Sequence, residues 1–197
     1  MDFIELIRNT RSTRRFLQSE KISIKDLHTL VRAASLCPSA LNRQPMKYIV
    51  SNNGNINAEI FKNLIWAPYI KDWDGPVEGQ RPAAYLIMVL DKELSPSAEI
   101  DAGIQAQSIL LCAKSMGISG CMLEKINKPE IAKIFELSDR YEVQLVIALG
   151  KGAEDIIMEP VVREEDGGHG IKFYHDTEGR HHVPKRSAEE ITLREYF

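Results

Sequence analysis

Cys37, Pro38, Ser39, Ala40, Leu41, Asn42, Arg43, Gln44 and Pro45 form a polar, turn-rich stretch between an amphipathic segment and an apolar one. A loop in that position offers side chains and spare backbone groups to a ligand. Two basic stretches complement it: Arg11, Ser12, Thr13, Arg14 and Arg15 upstream, and Pro184, Lys185 and Arg186 near the end. Guanidinium groups form forked, charge-assisted hydrogen bonds to phosphate, and Ser12 adds a hydroxyl donor. Together the three stretches point to a site for a phosphorylated cofactor.

The elements around the loop follow from periodicity. Ser23, Ile24, Lys25 and Asp26 read as a capping box that starts a helix. Leu27, Leu30, Val31 and Ala34 recur at helical spacing, and Pro38 stops the helix. After Pro45, Met46 to Val50 has strand composition, ended by Asn52, Asn53 and Gly54. A short helix is expected through Ile60, Phe61, Leu64 and Ile65. The region from Trp66 to Arg81, with Pro68, Tyr69, Trp73 and Pro76, has no clear period and reads as a loop or lid whose aromatics could line a pocket.

Farther along, Ala83 to Leu90 is continuously apolar, as a strand covered on both faces would be. Ala98 to Met116 is helical, with apolar residues on more than one face. Cys121 to Leu123 reads as a strand after the Gly117 to Gly120 turn, and Asn127 caps another helix through Ile131, Ile134 and Phe135. Val143 to Leu149 is a second buried strand, with Gly150, Lys151 and Gly152 as its terminal turn. Residues 153–197 are charged and turn-rich yet contain Ile171, Phe173, Tyr174 and Tyr196. That is too much apolar bulk for a free tail, and an arm wrapping a partner subunit accounts for it. No repeat or linker splits the chain, so a single domain over residues 1–197 is expected, with about 153–197 as its arm.

Composition narrows the function. A net charge of -3 argues against general nucleic-acid binding. Cys37, Cys112 and Cys121 lack a CxxC pair, which speaks against a disulfide framework or a zinc site and for a reducing cytoplasm. His181 and His182 are adjacent, so in an extended segment they point to opposite faces, and no metal site is expected. The N-terminus carries Asp2 and Glu5 and no long apolar run, against a signal peptide, and no segment is long enough to span a membrane. GxGxxG, GxxxxGK and GxSxG motifs are absent. Chemistry would therefore come from a bound cofactor.

The chain resembles the nitroreductase-like flavoprotein family. Members have an RxSxR-type loop after the first helix, here Arg11 to Phe16, and a PSxxNxQP-type loop after the second, here Pro38 to Pro45. The family's central helix is similar to the segment with Asp101, Gly103, Gln105 and Gln107, and its LGKG-like strand end to Leu149 to Gly152. Lys185 and Arg186 before Glu189 and Glu190 match in order.

The resemblance implies an α+β fold with a mostly antiparallel central sheet flanked by helices, assembled as an intertwined homodimer with an exchanged C-terminal arm and FMN at each of two subunit interfaces. It implies that Arg11, Ser12 and Arg14 hold the phosphate, ribityl or pyrimidine side of FMN, and that Lys185 and Arg186 close on the phosphate. Pro38, Ser39, Ala40 and Asn42 would come from the other subunit. A backbone amide near Leu123 and Glu124 would face flavin N5; relatives commonly have glycine in this stretch, where this chain has Glu124 and Lys125. The activity implied is NAD(P)H oxidation, with NADH or NADPH as transient donor, by ping-pong hydride transfer through flavin N5 to a small electron-poor acceptor such as a nitroaromatic or quinone. No side chain is required as acid or base. The alternatives are a flavin-consuming or dehalogenating branch of the fold, or a non-catalytic FMN-binding protein.

Overall fold

Every residue of β3 (Ala84–Asp91) is buried, because its apolar run meets cover on both faces. The computed structural model describes residues 2–67, 69–70 and 73–197. Pro68, Lys71 and Asp72, within the expected loop or lid, lie outside the described residues. The chain divides into two compact units, Met1–Trp66 with Asp74–Ala153 and Ala67–Trp73 with Glu154–Phe197.

In the first unit β3 pairs with β2 (Met46–Ser51) on one side and with the long β5 (Tyr141–Gly152) on the other. β4 (Ser119–Leu123) pairs with β5, and the two-residue β1 (Phe16–Leu17) pairs with its last residues. All these pairings are antiparallel, as the expected fold class requires. α2 (Ile24–Ser35) and α4 (Glu99–Ser115) cover one face. Their Leu27, Leu30, Ala34, Ala106, Ile109 and Ala113 pack against Ala84, Leu86, Met88 and Leu90 of β3. α5 (Lys128–Ile134) packs on β5 and α3 (Gly54–Phe61) on α5, burying Ile131 and Ile60 completely. α1 (Phe3–Asn9) packs on α4.

The second unit is a small sheet. β8 (His181–Lys185) lies between β6 (Ile156–Pro160), to which it is parallel, and β7 (Tyr174–His175), to which it is antiparallel. A single-turn α6 (Ala188–Ile191) follows with a complete Ser187 and Glu190 capping box. The segment expected as an arm thus carries its own strands.

Several local expectations change on inspection. Gly150, Lys151 and Gly152 are not a turn but the end of β5, because Leu17 and Phe16 pair with Lys151 and Gly152. The helix expected through Ile65 ends at Phe61, and Leu64 instead bridges Ile126. Ser23 does accept from the Asp26 amide (3.1 Å), but the Asp26 carboxylate bonds the Ser23 hydroxyl (2.7 Å). Asn127 precedes α5 without a side-chain cap, Pro129 setting its first turn instead. Trp66 is buried beside Phe61, with Gly75 so close that a Cβ would sit 2.5 Å from its ring. Among the described residues no helix is long and apolar enough to cross a membrane.

One charge is sunk in this core. Asp91 ends β3 at 0% exposure and receives Arg140 Nε (2.8 Å) and its terminal nitrogen (2.5 Å), a bidentate pair. Arg140 holds the Asp91 carboxyl below the usual carboxylate range against the opposing effect of burial. A lowered folded-state value means that the stabilisation is complete above the unfolded value and lost as pH falls toward the folded one. The melting temperature should therefore drop more steeply below about pH 4 in the wild type than in Asp91→Asn. The variant, which cannot ionise, should be less stable at neutral pH; calorimetric scans across pH measure both effects.

Candidate functional site

The 11–15 loop is ordered by its own polar groups and by the sheet beside it. Arg11 folds back over the end of α1, donating from Nε to the Thr10 carbonyl (2.7 Å) and from a terminal nitrogen to the Ile7 carbonyl (2.9 Å). This half-buried position holds its pKa below the ordinary arginine value through desolvation. Thr13 is buried, and its amide donates to the Gly120 carbonyl (3.0 Å), while Ser12 bridges Gly120 in parallel. Arg14 donates to the Ser12 carbonyl (3.3 Å). The loop is thereby fixed alongside β4, and Ser12 keeps an exposed side chain.

The close crossing explains the glycines. A Cβ on Gly150 would lie 2.6 Å from the Phe16 ring, and one on Gly152 would lie 2.8 Å from Ser119 Oγ. The glycine-rich strand end is therefore the seat of the 11–17 segment, a packing role that its sequence alone does not distinguish from a turn.

The 38–45 loop is held by a residue from α4. Asp101, 3% exposed, accepts from the Ser39 hydroxyl (2.5 Å) and from the Ala40 amide (3.2 Å). Ser39 Oγ in turn accepts from the Gln44 amide (2.9 Å), and the Gln44 side chain donates to the Asn42 carbonyl (3.1 Å). Between these anchors Leu41, Asn42 and Gln44 have φ of 52°, 52° and 51°. Asn tolerates this left-handed region, but Leu and Gln do so at a cost of order 1 kcal/mol each. The result is a fixed, outward-facing loop with Leu41 84% exposed. It walls an open cleft of about 340 Å³ shared with Cys37, Tyr48 and Gln105. Tyr48 donates to Gln105 there in a short hydrogen bond, and burial pushes its phenol well above the ordinary value.

Both loops belong to the first unit, the 11–15 loop held by Gly120 of β4 and the 38–45 loop by Asp101 of α4. Gly120 approaches Leu110, with a notional Cβ 2.7 Å from that side chain, while Asp101 lies nine residues earlier. Asp101 and Leu110 are about 13.5 Å apart along the helix axis at 1.5 Å per residue. Ile100 (77% exposed), Ile104, Leu36 and Leu41 present apolar groups to solvent around the second loop.

Leu123 ends β4 and is buried, and the exposed Glu124 follows where the strand stops. Lys125 then returns to regular contact through its carbonyl, which accepts from the Ile65 amide (3.1 Å). Lys185 and Arg186 lie in the second unit, exposed, at the end of β8 and just beyond it. Pro38, Ser39, Ala40 and Asn42 share the 38–45 loop, and Arg11, Ser12 and Arg14 the other. The residue pattern puts Asp101 on the central helix without a role; its signal is a carboxylate in the first turn of an apolar helix. No sequence spacing linked it to Ser39.

Comparison with known proteins identifies the family and the fold. A family model described as the Nitroreductase family matches residues 7–151. A Bacillus subtilis protein provisionally named NAD(P)H nitroreductase YodC is 26% identical over 136 residues, covering 64% of this chain and 66%, just under two thirds, of its own. Among solved structures, a Bacteroides thetaiotaomicron protein described provisionally as an NADH dehydrogenase/NAD(P)H nitroreductase superposes with a TM-score of 0.68 at 18% identity. It covers 98% of this chain and 97% of its own. An FMN-dependent nitroreductase of Clostridium difficile R20291 superposes at 0.65 with 18% identity, over 83% and 94% of the two chains. At these identities the structural likeness establishes the fold.

The grip of Asp101 on the 38–45 loop is directly testable. Asp101→Asn keeps the shape but weakens the charge-assisted bonds, so amide exchange at Ala40 and Gln44 should accelerate about tenfold. Exchange across β3 should stay unchanged; hydrogen exchange with mass spectrometry reads both.

Proposed function

The chain belongs to the nitroreductase family, and on that premise we propose that it is an FMN-dependent oxidoreductase. It would use NADH or NADPH to reduce a small electron-poor molecule such as a nitroaromatic or a quinone. The observation that supports this most is the fixing of the cation-rich 11–15 loop against Gly120 of β4, the strand that leads to Leu123 and Glu124.

The donor set there suits FMN. Arg11, Ser12 and Arg14 combine two guanidinium groups with an exposed hydroxyl, a combination that matches a phosphate and the carbonyl-rich edge of a flavin. When bound, FMN supplies the redox chemistry, accepting two electrons from the nicotinamide and passing them to the acceptor. The protein's part is to hold and polarise it. A guanidinium such as that of Arg14 at the pyrimidine edge favours negative charge there. The backbone at Leu123 and Glu124, where β4 ends, offers an amide to orient the reacting face. Lys185 and Arg186, both exposed, are proposed as further phosphate partners.

We further propose a homodimer in which one protomer's Pro38, Ser39, Ala40 and Asn42 border the flavin held by the other, with exchange of the C-terminal segment. The anchoring of the two loops on different elements, β4 and the first turn of α4, supports a site built from two chains. So does the apolar, solvent-facing flank at Ile100 and Ile104, which a second copy would cover. Cysteine usage supports a reducing cytoplasm as the compartment.

A flavin absorption spectrum, bleached anaerobically by NADH or NADPH and restored on adding a nitroaromatic or quinone, is the expected result. A protein that FMN cannot reconstitute would overturn the reading, and a yellow protein that neither nucleotide reduces would point to the carrier or flavin-consuming alternatives. Arg14→Ala should weaken FMN binding roughly tenfold or more, the loss expected for a hydrogen bond to a charged group, measured by fluorescence titration. Ile100→Lys should shift the protein from dimer to monomer in sedimentation velocity with its circular dichroism unchanged.

A further inference from the structure

The second unit brings together three groups that no sequence spacing connects. His175 on β7 and His181 on β8 are direct cross-strand partners, so their side chains share one face of the small sheet. His181 Nδ1 and His175 Nε2 are 3.1 Å apart, with the rings inclined at 64°. Glu154 lies two residues before Ile156, the residue of β6 that pairs with His181, and strand alternation gives it the same side. The His181 amide donates to the Asp155 carbonyl (2.8 Å), fixing the lead-in to β6 against β8. One ligand atom from each of Glu154, His175 and His181 falls within 4.8 Å of the other two.

From this juxtaposition we propose that Glu154, His175 and His181 bind a divalent transition ion, Zn²⁺ being the best match, in a site separate from the flavin chemistry. Two imidazole nitrogens and a carboxylate are a known zinc donor set, and at bond lengths of about 2.0–2.1 Å two nitrogens on one tetrahedral ion lie about 3.3 Å apart. The observed histidine separation needs only a small adjustment. His181 is 1% exposed, and Phe173 and Trp73 pack against the histidine pair at 5.5 Å and 6.5 Å. These walls shield the His181 nitrogen, while the half-buried Glu154 and His175 leave the fourth position of a tetrahedral ion to a solvent molecule. Thiolate is absent from the set, which disfavours Cu(I), and imidazole disfavours Mg²⁺ and Ca²⁺. His182 faces the other way, bonded to Glu159 (2.8 Å) and Asp176 (3.2 Å) and stacked on Tyr174. It is not a ligand.

The chemical role assigned is structural. The segment from Glu154 onward is built on a small three-stranded sheet, and an ion joining the lead-in to β6, β7 and β8 would cross-link all three strands. Coordination requires both histidines neutral at the bonding nitrogen, so a proton shared between them is released on binding.

The test uses the full-length protein, stripped of metal with a chelator and titrated with Zn²⁺ by calorimetry and with Co²⁺ by visible absorption. The expected result is one ion per chain with sub-micromolar affinity, ligand-field bands for Co²⁺, and a rise in melting temperature with Zn²⁺. Glu154→Gln, which preserves volume, and His175→Ala should each weaken binding at least tenfold, whereas His182→Gln should leave it unchanged. Since His175→Ala could unfold the small sheet, circular dichroism is recorded for each variant, and Glu154→Gln carries the decision if the histidine variant is unfolded. Absence of saturable binding to the wild type, or unchanged binding in folded Glu154→Gln, would overturn the proposal.

Discussion

The complete burial of β3 is the constraint on which the first unit depends. A strand with no exposed face must be paired along both edges and covered on both sides, and each requirement recruits a particular part of the chain. β2 and β5 satisfy the edges. α2 and α4 cover the face carrying Leu86 and Met88. Asp91, carried inside by the strand, obliges Arg140 to stand beside it. An unpaired carboxylate at that depth would be strongly unfavourable, so the ion pair is a consequence of the burial and not an independent source of stability.

α4 extends that constraint to the candidate site. It is apolar on the side that covers β3, and its first turn aims Asp101 at the 38–45 loop while its later residues approach Gly120. Three left-handed non-glycine residues persist in this loop because Ser39, Ala40 and Gln44 are tied down at its base. Backbone strain of that kind survives only where surrounding bonds over-determine it. The same helix leaves Ile100 in water. A solvent-facing isoleucine beside a rigid loop is the feature that connects the fold to the proposed two-chain site.

The second unit shows how alternation along short strands sorts polar chemistry. Tyr174 and His182 face one side with Glu159 and Asp176, and His175 and His181 face the other with Phe173. Side chains of opposite strand parity, although adjacent in sequence, thus enter different networks. Alternation alone separates His181 from His182, but the partner that pairing brings from β7, His175, has no mark in the spacing.

Local, periodic features are legible in the residues alone: the helix from Ile24 to Ser35, the apolar strand from Ala84, the long helix from Glu99, and the polar loop between Pro38 and Pro45. These follow from residue spacing and from proline and glycine chemistry, which act over a few residues. The family resemblance also rested on short ordered motifs, and the α+β antiparallel architecture agrees with it. Long-range packing is what makes Asp101 anchor Ser39, sets Arg140 against Asp91, buries Trp66 and turns Gly150 to Gly152 into strand. It alone set Glu154 beside His175 and His181. Each of these depends on strand register or helix docking between residues far apart in sequence, where the energy lies in a contact between two residues and neither one announces its partner.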